Sequence, residues 1–195
     1  MSNYNVSELI PSKKEWIDVV LNDFDSFLKD HADCERKASG MAMSLVAKYP
    51  DRKEILQDLI HTGIEELEHF KLVYKIMENR GIGLNHKMTK DLYVDALLKN
   101  INGDKTKGLR DRLLIAAIVE NRGFERFKMI SDHIQDAELA KFYEMIYISE
   151  EKHGDMFLRL AENYFSKEEV EMRYNELVEK ETEVLNNLII APALH

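Results

Sequence analysis

The chain has 195 residues, 45% of them apolar, with a formal net charge of −9 and one cysteine. That length suits one domain with a sizeable core over residues 1–195 and is short for two. A lone Cys34 excludes an internal disulfide framework and any CxxC zinc or rubredoxin-like site; with no apolar run of membrane length and no secretory leader in MSNYNVSELI, a soluble, cytoplasmic protein is expected.

Three prolines and eight glycines against 32% charged residues describe an all-α chain with few forced breaks. From the N-terminus, Ser12-x-x-Glu15 reads as a capping box opening a short amphipathic segment around Trp16, Val19 and Val20. A long helix follows to about Lys48 and is closed by Tyr49-Pro50. Asp51 with Glu54 opens a second, which stops at Arg80-Gly81. Residues 81–107 form a connection with a short helical piece near Asp91 to Ile101. The third long helix covers roughly Gly108 to His133, the fourth runs from near Asp136 to Phe165, and Ser166-x-x-Glu169 caps an acidic last helix to about Leu188. Four long helices with the long connection between the second and third predict a ferritin-like four-helix bundle with a crossover, plus a short N-terminal and an extra C-terminal helix.

The apolar stripes of these helices carry charge where none is expected. On the second helix the stripe holds Ile55, Leu59, Thr62, Glu66, His69, Val73 and Ile76. On the fourth it holds Leu139, Phe142, Ile146, Glu150, His153, Phe157, Leu160 and Tyr164. Glu35 stands among Phe24, Leu28, Ala38, Ala42 and Leu45, and Glu120 among Leu109, Leu113, Ala116, Phe127 and Ile130. Four carboxylates in one core would repel and protonate unless cations sat between them. One Glu from each of two helices, plus Glu-x-x-His from each of two others, is the ligand set of di-iron and di-manganese carboxylate bundles.

Chance alone supplies roughly one Glu-x-x-His in a chain of this composition, so the bare motif is weak and its registration carries the weight. Glu35 precedes Glu66 by 31 residues and Glu120 precedes Glu150 by 30, which makes two half-sites offset by 84 or 85 positions. Glu65, Glu68 and Glu151 read as solvated or supporting groups. His31, one turn before Glu35, reads as a supporting or satisfied core histidine rather than a ligand. Cys34 reads as packing, and Met41, Met43, Phe124 and Tyr147 as core. Mixed Glu and His ligands suit iron, manganese or zinc, and iron is the expectation.

The strings EWIDVVLNDFDSFLKDHADCERKAS, SLVAKY, EELEHF, IVENRGFERF and SEEKHGDMFLRLAENY resemble the tRNA 2-methylthio-N6-isopentenyladenosine hydroxylases, bacterial ferritin-like di-iron enzymes, across nearly the whole chain. The resemblance implies iron ligands, and catalysis through two iron ions, at Glu35, Glu66, His69, Glu120, Glu150 and His153, the set that the stripes also give. Where the family pattern has a second histidine directly after the first motif, this chain has Phe70, off the ligand face. The implied reaction is O2-dependent hydroxylation of the isopentenyl side chain on the modified adenosine beside the anticodon of tRNA. One cysteine leaves no electron-transfer centre in the chain, so an external reductase is implied as electron donor.

A net charge of −9 disfavours a polyanion unless positive charge is gathered locally. Residues 86–112 hold Lys87, Lys90, Lys99, Lys105, Lys107, Arg110 and Arg112 against four aspartates, a balance of +3, and read either as ordinary solubilising loop charge or as the contact for the anticodon stem-loop. An iron-storage ferroxidase and a peroxide-detoxifying bundle stay open on the residues alone, since one fold hosts several chemistries. A monomer or small oligomer with two metals per chain separates the hydroxylase from a storage cage.

Overall fold

The computed structural model describes residues 4–88 and 90–195. Among the described residues there are seven α-helices and no strand: α1 (Lys14–Asn22), α2 (Phe24–Lys48), α3 (Lys53–Asn79), α4 (Leu92–Leu98), α5 (Lys105–His133), α6 (Ala137–Glu162) and α7 (Lys167–Asn187). Two compact units divide them, one of residues through Ile17, Asp91–Ile189 and His195, the other of Asp18–Lys90 and Ile190–Leu194.

In the second of these units α2 and α3 form an antiparallel helical hairpin. Asp23 caps α2 by accepting from the Ser26 N–H, and Tyr49 closes it through an N–H bond to the Leu45 carbonyl, before Pro50 bars continuation. The second helix starts later than Asp51 suggests. Its N-cap is Arg52, which makes no side-chain cap bond, and the Asp51 carboxylate lies 3.9 Å from Arg52 Nε instead. At the other end Gly81 has φ +70°, so the Ile82 N–H reaches the Met77 carbonyl at 2.8 Å, a closure that glycine adopts without strain. Leu28, Ala42 and Leu45 are buried on α2, and Ile55, Leu59, Val73 and Met77 on α3; Met77 takes the place expected of Ile76, which is half-buried. Ser39 Oγ donates to the Gly63 carbonyl at 2.6 Å and ties the two helices together. Met43, expected in the core, is 45% exposed because it covers the Gly63 notch from outside.

The other unit is built on α5, α6 and α7. Asp104 caps α5, accepting from the Thr106 and Lys107 N–H groups at 2.9 Å, so the helix begins three residues before Gly108. Gly108 is required there: a Cβ would lie 2.8 Å from the Asn102 carbonyl oxygen. Asp136 caps α6, Asp91 caps α4, and Ser166 with Glu169 forms the expected capping box on α7. Leu113, Phe127 and Ile130 of α5 are buried with Ile146 and Phe157 of α6, and Tyr143, stacked on Phe127 at 5.7 Å, is buried where Phe142 was expected. Val170, Tyr174 and Leu177 form the buried stripe of α7. The box predicted at Ser12 is replaced by a distant partner. The carboxylate meeting the Ser12 N–H belongs to Glu125, at 2.6 Å, rather than to Glu15.

Candidate metal centre

The α2/α3 hairpin buries Glu35, Glu66 and His69, exposed by 3%, 1% and 6%. His69 Nδ1 lies 3.3 Å from Glu66 Oε2 and 3.8 Å from Glu35 Oε2. Each of the three offers a ligand atom within 4.8 Å of the other two. The i, i+3 spacing on α3 puts its two donors one turn apart on one face. The α5/α6 hairpin repeats the arrangement with Glu120, Glu150 and His153, all buried and with donor atoms again within 4.8 Å of one another. His153 Nδ1 is 3.5 Å from Glu150 Oε2.

The 3.5 and 3.8 Å separations are longer than ordinary hydrogen bonds. The 3.3 and 3.5 Å separations within the two Glu-x-x-His pairs match two donors on one cation, because ligands about 2.0–2.2 Å from a metal sit roughly 3–3.5 Å from each other. Two carboxylates and an imidazole, withdrawn from water in each hairpin, form a donor set that fits iron and that a cation would stabilise. Supporting contacts surround the first triad. His31 is fully buried with Nε2 2.5 Å from Glu35 Oε1. Burial and the neighbouring His69 push its pKa down to about 3, against the pull of Glu66, so it stays neutral and its Nε2–H donates to Glu35.

The remaining sequence expectations fall as follows. Glu65 is half-buried 3.7 Å from His61, while Glu68 and Glu151 are exposed. Cys34 is a buried packing residue with Sγ 3.7 Å from Asp30 Oδ2. Phe70 is half-buried beneath the Arg36 guanidinium at 5.2 Å. Met41, Phe124 and Tyr147 are half-buried, the last two ring to ring at 5.7 Å. In the basic segment Lys87, Lys90, Lys99, Lys105 and Lys107 are exposed. Arg110 pairs with the buried Asp111 at 3.0 Å and lies over Phe165, and Arg112 is half-buried.

Sequence reasoning missed a buried polar network. Glu181 of α7 accepts from Arg122 Nε at 3.0 Å and Nη2 at 2.7 Å, and from the Tyr93 hydroxyl at 3.0 Å. Arg122 also donates to the Ile10 carbonyl, to Ser12 Oγ and to Glu125. Burial and Glu181 raise the Tyr93 pKa well above the usual phenol value. The available signal was Glu181 itself, a carboxylate in the stripe Val170, Tyr174, Leu177. The rule that singled out Glu66 and Glu150 singles it out too, with an arginine as the cation.

No described helix is long and apolar enough to cross a membrane. A solved Synechococcus protein with aldehyde deformylating oxygenase activity superposes with a TM-score of 0.90 and 27% identity over 96% of this chain and 93% of its own, which places the chain in the all-α, ferritin-like bundle class. A Pseudomonas putida tRNA 2-(methylsulfanyl)-N(6)-isopentenyladenosine(37) hydroxylase is 34% identical over 154 residues, 79% of this chain and 74% of that protein. The Salmonella typhimurium protein of the same name is 29% identical over 136 residues, 70% of this chain, which spans about half of it (49%). The pattern of one family matches residues 5–195, a range that holds both buried triads and the helices carrying them. With that match over nearly its whole length, the chain belongs to the tRNA-(MS2IO6A)-hydroxylase (MiaE) family.

Proposed function

We propose that Glu35, Glu66, His69, Glu120, Glu150 and His153 together hold two iron ions, and that the protein uses them to hydroxylate the isopentenyl side chain of 2-methylthio-N6-isopentenyladenosine next to the anticodon of tRNA. The observation carrying this reading is the repeated buried triad of two carboxylates and one imidazole in a chain of a hydroxylase family. Family membership makes the chain an enzyme and favours hydroxylation over iron storage or peroxide removal.

Bound iron would supply the dioxygen chemistry: one oxygen atom enters a C–H bond, and the other leaves as water with two protons and two electrons. The electrons come from an external reductase. The chain's own part is to hold the donors in place away from water, with the neutral His31 orienting Glu35. The exposed Lys87, Lys90, Lys99, Lys105 and Lys107 contact tRNA phosphates, while an unstacked loop base enters the site. Arg110 contributes less than its charge suggests, because Asp111, which it shares with Arg173, partly offsets it. The protein acts in the cytoplasm, as one domain and as a monomer or small oligomer.

The test is nucleoside mass spectrometry of tRNA from cells lacking and then regaining the gene, repeated with purified iron-loaded protein, a reductase and isotopically heavy dioxygen. One heavy oxygen atom in the isopentenyl group is expected. Unmodified prenyl bases with iron-replete protein would sink the substrate assignment. Lys105→Ala with Lys107→Ala should weaken tRNA binding and flatten its salt dependence without changing iron content.

A further inference from the structure

Asn121 and Gly154 are the immediate chain neighbours of two donors, Glu120 and His153, and they meet across the α5/α6 interface. A Cβ built on Gly154 would overlap Asn121 Oδ1 and lie 3.0 Å from its Cγ. The Asn121 amide is held in that position from a third helix: its Nδ2 donates to the Tyr174 hydroxyl of α7 at 2.9 Å. Tyr174 is itself 2% exposed and fixed by packing. Gly154 differs in this from Gly123, two residues further along α5, where a Cβ would make only ordinary contact, 3.7 Å from Phe127 Cε2 and 4.0 Å from Glu150 Cγ.

We infer that Asn121 is a positioning residue for the metal centre, a peg seated in the Gly154 notch and braced by Tyr174, which sets the register of α5 against α6 and so the placement of Glu120 relative to Glu150 and His153. The inference rests on the di-iron reading above. Magnitudes favour it over a purely structural role. Restoring ordinary contact around a new methyl at position 154 requires a movement of about 1 Å, whereas metal–ligand distances tolerate about 0.2 Å. A one-residue axial slip of a helix is about 1.5 Å, which would take a donor off the metal altogether.

The experiment compares the full chain with Gly154→Ala, Asn121→Ala, the Asn121→Ala/Gly154→Ala double variant and Tyr174→Phe, each titrated with iron(II) and with cobalt(II). Metal stoichiometry, affinity and the cobalt ligand-field spectrum are read alongside circular dichroism. Gly154→Ala should stay helical, bind at least one metal roughly 10–100-fold more weakly and show an altered cobalt spectrum. The double variant should recover part of the parental spectrum because the peg no longer meets the methyl. Tyr174→Phe should shift the spectrum in the same direction by less. Should Gly154→Ala fail to fold, Asn121→Ala carries the test, because it removes the peg without adding bulk. Parental affinity and spectrum in folded Gly154→Ala, or in Asn121→Ala, would overturn the inference. A parent that binds no metal would instead sink the di-iron reading itself.

Discussion

The α2/α3 and α5/α6 hairpins carry the same three donors at nearly the same spacing, yet they support them by different means. In α2/α3 the support comes from the hairpin and the segment just after it: His31 bonds Glu35 one turn away on its own helix, Ser39 bonds the Gly63 carbonyl across the hairpin, and Asn85 donates to the buried Asp33 at 3.0 Å. In α5/α6 it is long-range. Asn121 reaches Tyr174, and Arg122 reaches Glu181, both from α7, while Ser12 and Ile10 approach from the N-terminal segment. A repeated ligand pattern therefore does not imply a repeated supporting structure. Under the proposed di-iron function the chemistry constrains six donors, and whatever neighbours each hairpin has are free to hold them.

The largest expected effect is shared by both hairpins. Glu66→Ala and His153→Ala remove one donor from each, and each should drop bound iron below two per chain and lower hydroxylation by more than ~100-fold. Iron analysis and nucleoside mass spectrometry read the two losses. Full iron occupancy in one variant and not the other would break the equivalence of the halves and remove that triad from the centre. Next in size is a change read in stability. Arg122→Met strands the fully buried Glu181 carboxylate, which costs about 3–5 kcal/mol. Removing the charge as well, with Glu181→Leu, should recover most of it. Thermal melts of both variants check this.

The same contrast explains what was legible beforehand. Glu66, His69, Glu150 and His153 could be read because each motif declares itself within one helix turn, and Asp136 and Ser166 were readable as caps because their partners lie two or three residues away. Ser12 misled because its carboxylate partner, Glu125, is 113 positions distant. The stripe ends slipped by one residue, Ile76 for Met77 and Phe142 for Tyr143, since a helix of 3.6 residues per turn drifts against any fixed alternation of three and four. Arg122 and Asn121 escaped notice for the reason Ser12 misled: their partners on α7 are 59 and 53 residues away.

A pH dependence should separate the hairpins further. Burial, with Glu181 and Asp155 adding to it and the Asn121 donation opposing, pushes the Tyr174 hydroxyl up from 10.0 to about 12. A folded-state value above the unfolded one means that the contribution is fully present below pH 10 and is lost as pH rises toward about 12. The amount at stake is about 3 kcal/mol. Tyr93 shifts in the same direction. Denaturant unfolding across this range should show the parent losing more stability than Tyr174→Phe, and hydrogen exchange should place the early opening in α5 to α7. Equal alkaline loss in the two proteins would mean that Tyr174 is not what couples α7 to the site.

The smallest effect is the sharpest comparison, because it makes one substitution at a closely approached glycine of each hairpin, Gly63 and Gly154. A Cβ on Gly63 would sit 3.2 Å from Met43 Cγ and Sδ, tighter than usual, but Met43 is a flexible side chain with 45% of its surface in solvent and can swing outward. Replacing a mid-helix glycine by alanine also gains about 0.5–1 kcal/mol by restricting the unfolded chain. Gly63→Ala should therefore be neutral or stabilising by less than ~1 kcal/mol, with a parental metal titration, whereas Gly154→Ala should disturb the metals. The Ser39 bond survives the change, since it uses the Gly63 carbonyl and not its side chain. Paired melts and cobalt titrations of the two alanine variants decide the matter. If Gly63→Ala perturbs the cobalt spectrum as strongly as Gly154→Ala, close approach of the backbones matters equally in both hairpins, and the distinction between local and long-range support does not govern how the donors are held.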